Sequence, residues 1–337
     1  MKVYTTAPLE DLRRVPEDYA YLERVGYDGA FSFEAKHDPF VPIAVASQHT
    51  RRMRLGTAVA IAFARNPMTL ANLGYDLQVV TRGRFALGLG TQVRPHIEKR
   101  FSSVWSRPVA RMREMVAAIR AIWNAWQTGA KLDFRGDFYT HTIMIPAFDP
   151  GPNPYGPPPI LLGGFQPKMV ALAGEVADGY IAHPFNSRRS LLERTLPALE
   201  KGLARAGRRR KDIEVICPVM VVTGDDEAEF LRVREVARKH LAFYGSTPAY
   251  AGTLECHGWG DLHRELNALS KQGRWNEMAA LISDEILETL AVVGPRDQIA
   301  PMIRERFDGI ADAVSLTNNR APDPRHWADV VAALKAA

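Results

Sequence analysis

Phe85-Ala86-Leu87-Gly88-Leu89-Gly90 is apolar or glycine at every position. Six residues without polar alternation read as a strand covered on both faces, the habit of parallel sheets. Arg82-Gly83 ends a helical stretch before this run. An amphipathic helix follows over about 108–126, with Met112, Met115, Ile119 and Ile122 on one stripe. The same pairing of a short apolar run with a longer helical pattern recurs along the chain, which points to βα units and a parallel sheet.

Working outward, strands are expected at 3–6, 29–33, 53–61, 85–90, 159–164, 179–183, 214–223 and 313–317. Pro42 and Pro67 open the helices after the second and third strands. Eight strands close a small barrel filled by its own side chains. The expected fold class is therefore α/β, a (β/α)8 TIM barrel with insertions, forming one domain over residues 1–337. Residues 130–158 read as an irregular excursion and about 246–291 as an inserted lid. A doubly wound open sheet would want a glycine-rich turn after the first strand, and residues 6–10 have none.

The chain has 337 residues and a formal net charge of +5. Its clearest basic run, Arg208-Arg209-Arg210-Lys211, lacks interleaved aromatics and reads as a solvated loop, so no nucleic-acid partner is expected. Two distant cysteines, Cys217 and Cys256, make neither a disulfide framework nor a metal signature, and fit a reducing cytoplasm. The N-terminus lacks the apolar core of a signal peptide, and no run approaches the length of a membrane span.

Functional groups of such barrels follow the strands. After the second strand come Glu34, His37 and Asp38, a titratable cluster in one loop. A histidine beside two carboxylates is tuned to move a proton near neutral pH. Asp38 has a competing role as the cap of the next helix. After the fourth strand, Gly90, Thr91 and Gln92 let a ligand approach the backbone. After the fifth, Gly163-Gly164 leads into a helix, an N-terminus suited to a phosphate. His183 follows the sixth and Asn318-Asn319 the eighth. Phe40, Phe63, Trp105, Phe165 and Phe185 could make an aromatic mouth or be packing. No spacing of histidines or carboxylates suggests a metal. Cys256-His257 are adjacent in sequence, which does not make them a nucleophile pair.

Three blocks, in this order and spacing, resemble the bacterial luciferase-like family on its coenzyme F420 branch. They are Leu55-Gly56-Thr57-Ala58-Val59 with Asn66-Pro67 and Arg82 to Thr91; Arg111-Met112-Arg113-Glu114 with Phe134 to Tyr139; and Pro158 to Gly164 with Ala177-Asp178-Gly179-Tyr180. The resemblance implies a non-proline cis peptide at Ala58–Val59 or the next bond, backing a cofactor ring. It also implies a phosphate on Gly163-Gly164 near His183, and cofactor contacts at Gly90, Thr91, Gln92 and Asp38. One departure stands out: aligned on Pro39, Lys36 takes the column of the family's catalytic histidine, and His37 lies one residue on.

The expected function is hydride transfer between F420 and a small organic substrate, with His37 as acid–base and Glu34 as its orienter or substitute. An FMN-dependent monooxygenase is the alternative, and a non-catalytic flavin- or deazaflavin-binding protein the reading from another class. Relatives of this kind are often homodimers.

Overall fold

The computed structural model describes residues 1–7, 9–317 and 327–336. Eight strands carry the fold: β1 Lys2–Thr6, β2 Gly29–Ser32, β3 Arg54–Thr57, β4 Phe85–Gly90, β5 Ile160–Gly163, β6 Gly179–Ile181, β7 Glu214–Val222 and β8 Ala313–Thr317. Each pairs parallel with its sequence neighbours. β6 pairs with β7, and β8 with β1, so the sheet closes on itself as a (β/α)8 barrel. Asn318 and Asn319 lie outside the described residues.

Alternation along the strands sorts side chains into two cores. Phe85, Leu87 and Leu89 pack outward under the helices, within the large core cluster. Ala86 points inward with Tyr4, Phe31, Leu161, Ile181, Ile216 and Ala313. Glycine is required at one inward position. A Cβ on Gly88 would sit 1.8 Å from the Thr57 carbonyl oxygen, and Gly88 N–H instead donates to Thr57 Oγ1 at 3.0 Å. The barrel floor is polar. Glu214 accepts from Tyr4 Oη at 2.8 Å and pairs with Lys2 at 3.1 Å and with Arg54.

Among the helices, α1 Val15–Val25, α2 Phe40–His49, α3 Pro67–Val80, α4 Pro108–Thr128, α5 Pro167–Val176, α6 Leu196–Arg205, α7 Glu227–Ser246, α8 Gly260–Lys271 and α9 Ile299–Phe307 surround the barrel and its insertion. α3 starts at Pro67 as expected, and Asn66 caps it by accepting from Thr69 N–H at 2.9 Å. α2 differs: it begins at Phe40, two residues before Pro42, because Asp38 accepts the Phe40 N–H at 2.8 Å. The third strand is not continuous. It stops at Thr57, crosses a cis peptide at Ala58–Val59, and resumes as Ala60–Ile61 beside Leu89 and Gly90.

The excursion at 130–158 contains a two-stranded hairpin, Phe134–Arg135 with Thr140–His141. Glu114 on α4 accepts the N–H groups of Asp137, Phe138 and Tyr139 at 2.7–2.8 Å. One turn earlier, Arg111 donates to Tyr139 Oη at 2.8 Å. The second family block is thus a physical clamp. The segment after α7 is mainly helical. It builds a separate apolar cluster with α7, Phe185 and Met220, to which Leu254, Leu266, Met278 and Leu287 contribute. No helix among the described residues is long and apolar enough to cross a membrane.

Candidate active site

A cleft of about 990 Å³ opens at the C-terminal ends of the strands. That is the upper range for small-molecule pockets, with space for more than a single small substrate. Ala58, Val59, Gly90, Thr91, Gln92, Gly163, Gly164 and His183 all line it. Glu34, His37 and Asp38 do not.

The wall between β3 and β5 is built around one side chain. A Cβ on Gly90 would lie 2.6 Å from Val59 Cγ2, and one on Gly163 would lie 2.8 Å from Val59 Cγ1. Val59 therefore fills the space these two glycines leave, and the wall is flush. The backbone of this break is tied from behind. Ala58 N–H donates to Ser32 O at 2.7 Å and Glu34 N–H to Val59 O at 3.2 Å.

The cluster after β2 serves that break. The Glu34 side chain is 6 % exposed. Its carboxylate accepts from Ile61 N–H at 2.7 Å and from Arg65 Nη1 at 2.6 Å. Arg65 reaches Asp38 with its other nitrogen at 2.9 Å. Both carboxylates are thus engaged by one arginine some thirty residues on. His37 is half-buried and its imidazole makes no hydrogen bond with the described residues.

At the opposite wall, burial pushes the His183 pKa down to about 3. Phe185 N–H donates to His183 Nδ1 at 3.1 Å, so the ring proton resides on Nε2. His183 is a neutral, single-N–H donor. Its ring lies 4.1 Å from Tyr250, 4.9 Å from Tyr244 and 5.7 Å from Phe165, centroid to centroid. Burial pushes the Tyr250 phenol up to about 12, keeping it protonated. Gln92 holds a left-handed φ of 59° and turns its amide oxygen onto Val93 N–H at 3.0 Å.

Of the five aromatics that read as either mouth or packing, Trp105 and Phe165 line the cleft. Phe40, Phe63 and Phe185 are at most 3 % exposed and belong to the cores. Tyr244 and Tyr250, on α7 and the insertion, were not singled out because they follow no strand. Cys256 and His257 diverge: the thiol donates to Glu193 at 3.3 Å and the imidazole meets Ser187 Oγ at 2.7 Å.

A family model described as luciferase-like monooxygenase matches residues 2–313. The chain belongs to the luciferase-like monooxygenase family. An uncharacterised protein of Mycobacterium tuberculosis is 55 % identical over 303 residues, covering 90 % of this chain and 89 % of its own. A second protein of that organism, provisionally named a coenzyme F420-dependent oxidoreductase, is 30 % identical over 301 residues, covering 84 % and 86 %. Among solved structures, the coenzyme F420-dependent tetrahydromethanopterin reductase of Methanopyrus kandleri superposes with a TM-score of 0.80 at 17 % identity, covering 98 % and 97 %.

The luciferase-like cleft has features that suit a planar ring with a phosphate tail. The Val59 wall is flat because glycines flank it. At the Gly163-Gly164 turn a Cβ on Gly164 would meet Met169 Cγ at 2.7 Å, so glycine lets the turn pack closely on the start of α5, where a helix dipole favours an anion. Lys168, in the first turn of α5, also lines the cleft.

Proposed function

We propose that this luciferase-like protein is an F420-dependent oxidoreductase acting on a small organic substrate. The observation that carries the reading is the coincidence, in one cleft, of a flat Ala58–Val59 wall with the Gly163-Gly164 turn at a helix N-terminus. The similarity to a relative named for F420 supports it.

Coenzyme F420, when bound, supplies hydride transfer; the protein supplies position, dryness and one proton. Ala58 and Val59 would back the ring, with Gly90, Thr91 and Gln92 along its edge. Gly163 and Gly164 would receive the phosphate. Phe31, Phe33, Trp105 and Ile216 give the remaining space apolar walls, suited to excluding water. Among the described lining residues there is no carboxylate, so the site suits neutral or anionic substrates over cationic ones.

His37 is the proposed acid–base group. It stands on the loop after β2, outside the cleft lining, and its ring makes no hydrogen bond with the described residues, so the assignment has the imidazole turning toward the cleft when substrate binds. Glu34 and Asp38 act at one remove, through Arg65 and the break in β3. The test is His37→Ala: cofactor binding persists while turnover falls about 100-fold or more, the usual scale of general acid–base catalysis. Unchanged turnover with a verified substrate removes His37 from the mechanism.

The FMN-dependent alternative shares every binding element named here. Side-by-side titration with F420 and FMN separates the two.

A further inference from the structure

The connection from β4 to α4, residues 91–107, is a loop held in an uncommon backbone shape. Three of the four non-glycine residues with left-handed φ among the described residues stand in it: Gln92 at 59°, Ser102 at 51° and Arg107 at 33°. Such conformations persist only where the surroundings enforce them, and they gather at ligand sites. Here the enforcing contacts are visible. Phe101 N–H donates to His96 O at 3.0 Å and Ser103 N–H to Ile97 O at 2.9 Å. Arg111 on α4 donates to Val104 O.

The loop leaves β4 and bends back over β3 toward β2, away from β5. Arg100 Nη2 donates at 2.7 Å to Ala35 O, on the loop that carries His37. Trp105 packs edge-on against Phe63, just beyond the break in β3, with ring centroids 5.7 Å apart. Phe63 is buried, and the Arg111 guanidinium lies 4.7 Å from its centroid. Trp105 itself is half-buried and lines the cleft, so its ring is fixed while part of its surface stays open.

Phe33, Val93, Trp105, Pro108 and Val109 together give this end of the cleft an apolar wall. Phe33 is 41 % exposed and Val93 37 %. Apolar surface left open on a preformed wall marks a ligand groove. The one charged side chain that the loop gives to the cleft, Arg94, pairs with Glu98 at 2.9 Å. A sugar or other polyhydroxylated ligand would leave hydroxyls unpaired against these side chains.

We infer that this wall seats the non-reacting body of the substrate, that the body is a flat, uncharged, apolar ring system, and that Trp105 is the residue that selects it. The inference rests on the proposed cofactor site, which occupies the Val59 wall and the Gly163-Gly164 turn and leaves this end to the substrate. A fixed indole offers a large flat contact at small entropic cost. Binding of the body there holds the reacting carbon in place while the chemistry occurs elsewhere on the molecule.

The test uses the full chain and three variants, Trp105→Ala, Trp105→Phe and Val93→Asp, with melting temperatures recorded for each. Val93 is a surface side chain, so its variant reads the wall even if Trp105→Ala fails to fold. The probes are 2-acetylnaphthalene and acetone, which share a carbonyl and differ in the ring body. Each is titrated into protein already saturated with F420 or FMN, or into the chain alone if neither binds. The parent is expected to bind 2-acetylnaphthalene at least about tenfold tighter than acetone. Trp105→Ala and Val93→Asp should each weaken it about tenfold or more, the scale of one lost ring contact, and Trp105→Phe should recover part of the loss. Cofactor affinity should be the same in all four proteins. No preference for 2-acetylnaphthalene in the parent, or unchanged affinity in folded Trp105→Ala and Val93→Asp, overturns the inference. Displacement of bound cofactor by the ketone, or cofactor binding that falls with Trp105, also overturns it, since the wall would then belong to the cofactor. Trp105-dependent binding of 2-acetylnaphthalene in a protein that takes neither F420 nor FMN upholds the subsite and overturns the proposed function instead.

Discussion

Gly90→Ala should destabilise the protein, and Val59→Ala should rescue it. The added Cβ would lie 2.6 Å from Val59 Cγ2, roughly 1 Å inside normal carbon–carbon contact. The site cannot relax outward, because Val59 also abuts Gly163 on its other side. Overpacking of this kind costs about 1–3 kcal/mol. Unfolding entropy of about 2.1 cal/mol/K per residue, over 337 residues, converts that to a fall in melting temperature of about 1–4 °C. Val59→Ala alone loses two half-buried methyl groups, about 1 kcal/mol. In the double variant the clash is gone, so the combined loss should fall short of the sum by about 1 kcal/mol or more. Chemical denaturation of all four proteins measures that coupling. Additivity within about 0.5 kcal/mol, as for independent sites, would refute the claim that Val59 occupies the space left by these glycines.

Two further outcomes follow from the strand-end residues. Glu34→Gln removes a charge that Arg65 and the Ile61 N–H both engage, and should cost about 2–3 kcal/mol in thermal unfolding; a variant that melts like the parent yet loses turnover would restore Glu34 as a direct proton carrier. His183→Gln should flatten the acid side of the stability profile. The folded pKa of His183 is held near 3 by burial, against 6.5 for the ordinary side chain. The unfolded chain therefore takes a proton that the native state refuses. Stability from this group is complete above about pH 6.5 and is lost toward pH 3, at roughly 1.4 kcal/mol per unit. Urea denaturation at pH 7 and pH 5 reads the slope, and an unchanged slope in the variant would mean His183 titrates normally.

The barrel was legible because its signal is local. Phe85–Gly90 and Ala313–Thr317 stand where the apolar runs placed them. The third strand shows the limit of that signal: residues 53–61 are rich in small and β-branched residues, and periodicity cannot register a cis peptide. Only the resemblance pointed to Ala58–Val59. The glycines were read as room for a ligand, whereas the space at Gly90 and Gly163 is first taken by Val59, a partner about thirty residues from one and a hundred from the other. The acidic loop was read as a proton-handling group because its members are adjacent. Arg65, distant in sequence, decides where those carboxylates go. Adjacency likewise says nothing of which phenylalanines face solvent, and Phe40 and Phe63 turned inward with the helices and turns that carry them.

The central claim is that this cleft binds and uses F420. Purified protein titrated in parallel with F420 and FMN, followed by anaerobic incubation of the complex with candidate hydride donors and acceptors, addresses it directly. The account predicts saturable F420 binding and a change in the deazaflavin absorbance when a substrate exchanges hydride. Saturable FMN binding with none for F420 would contradict it.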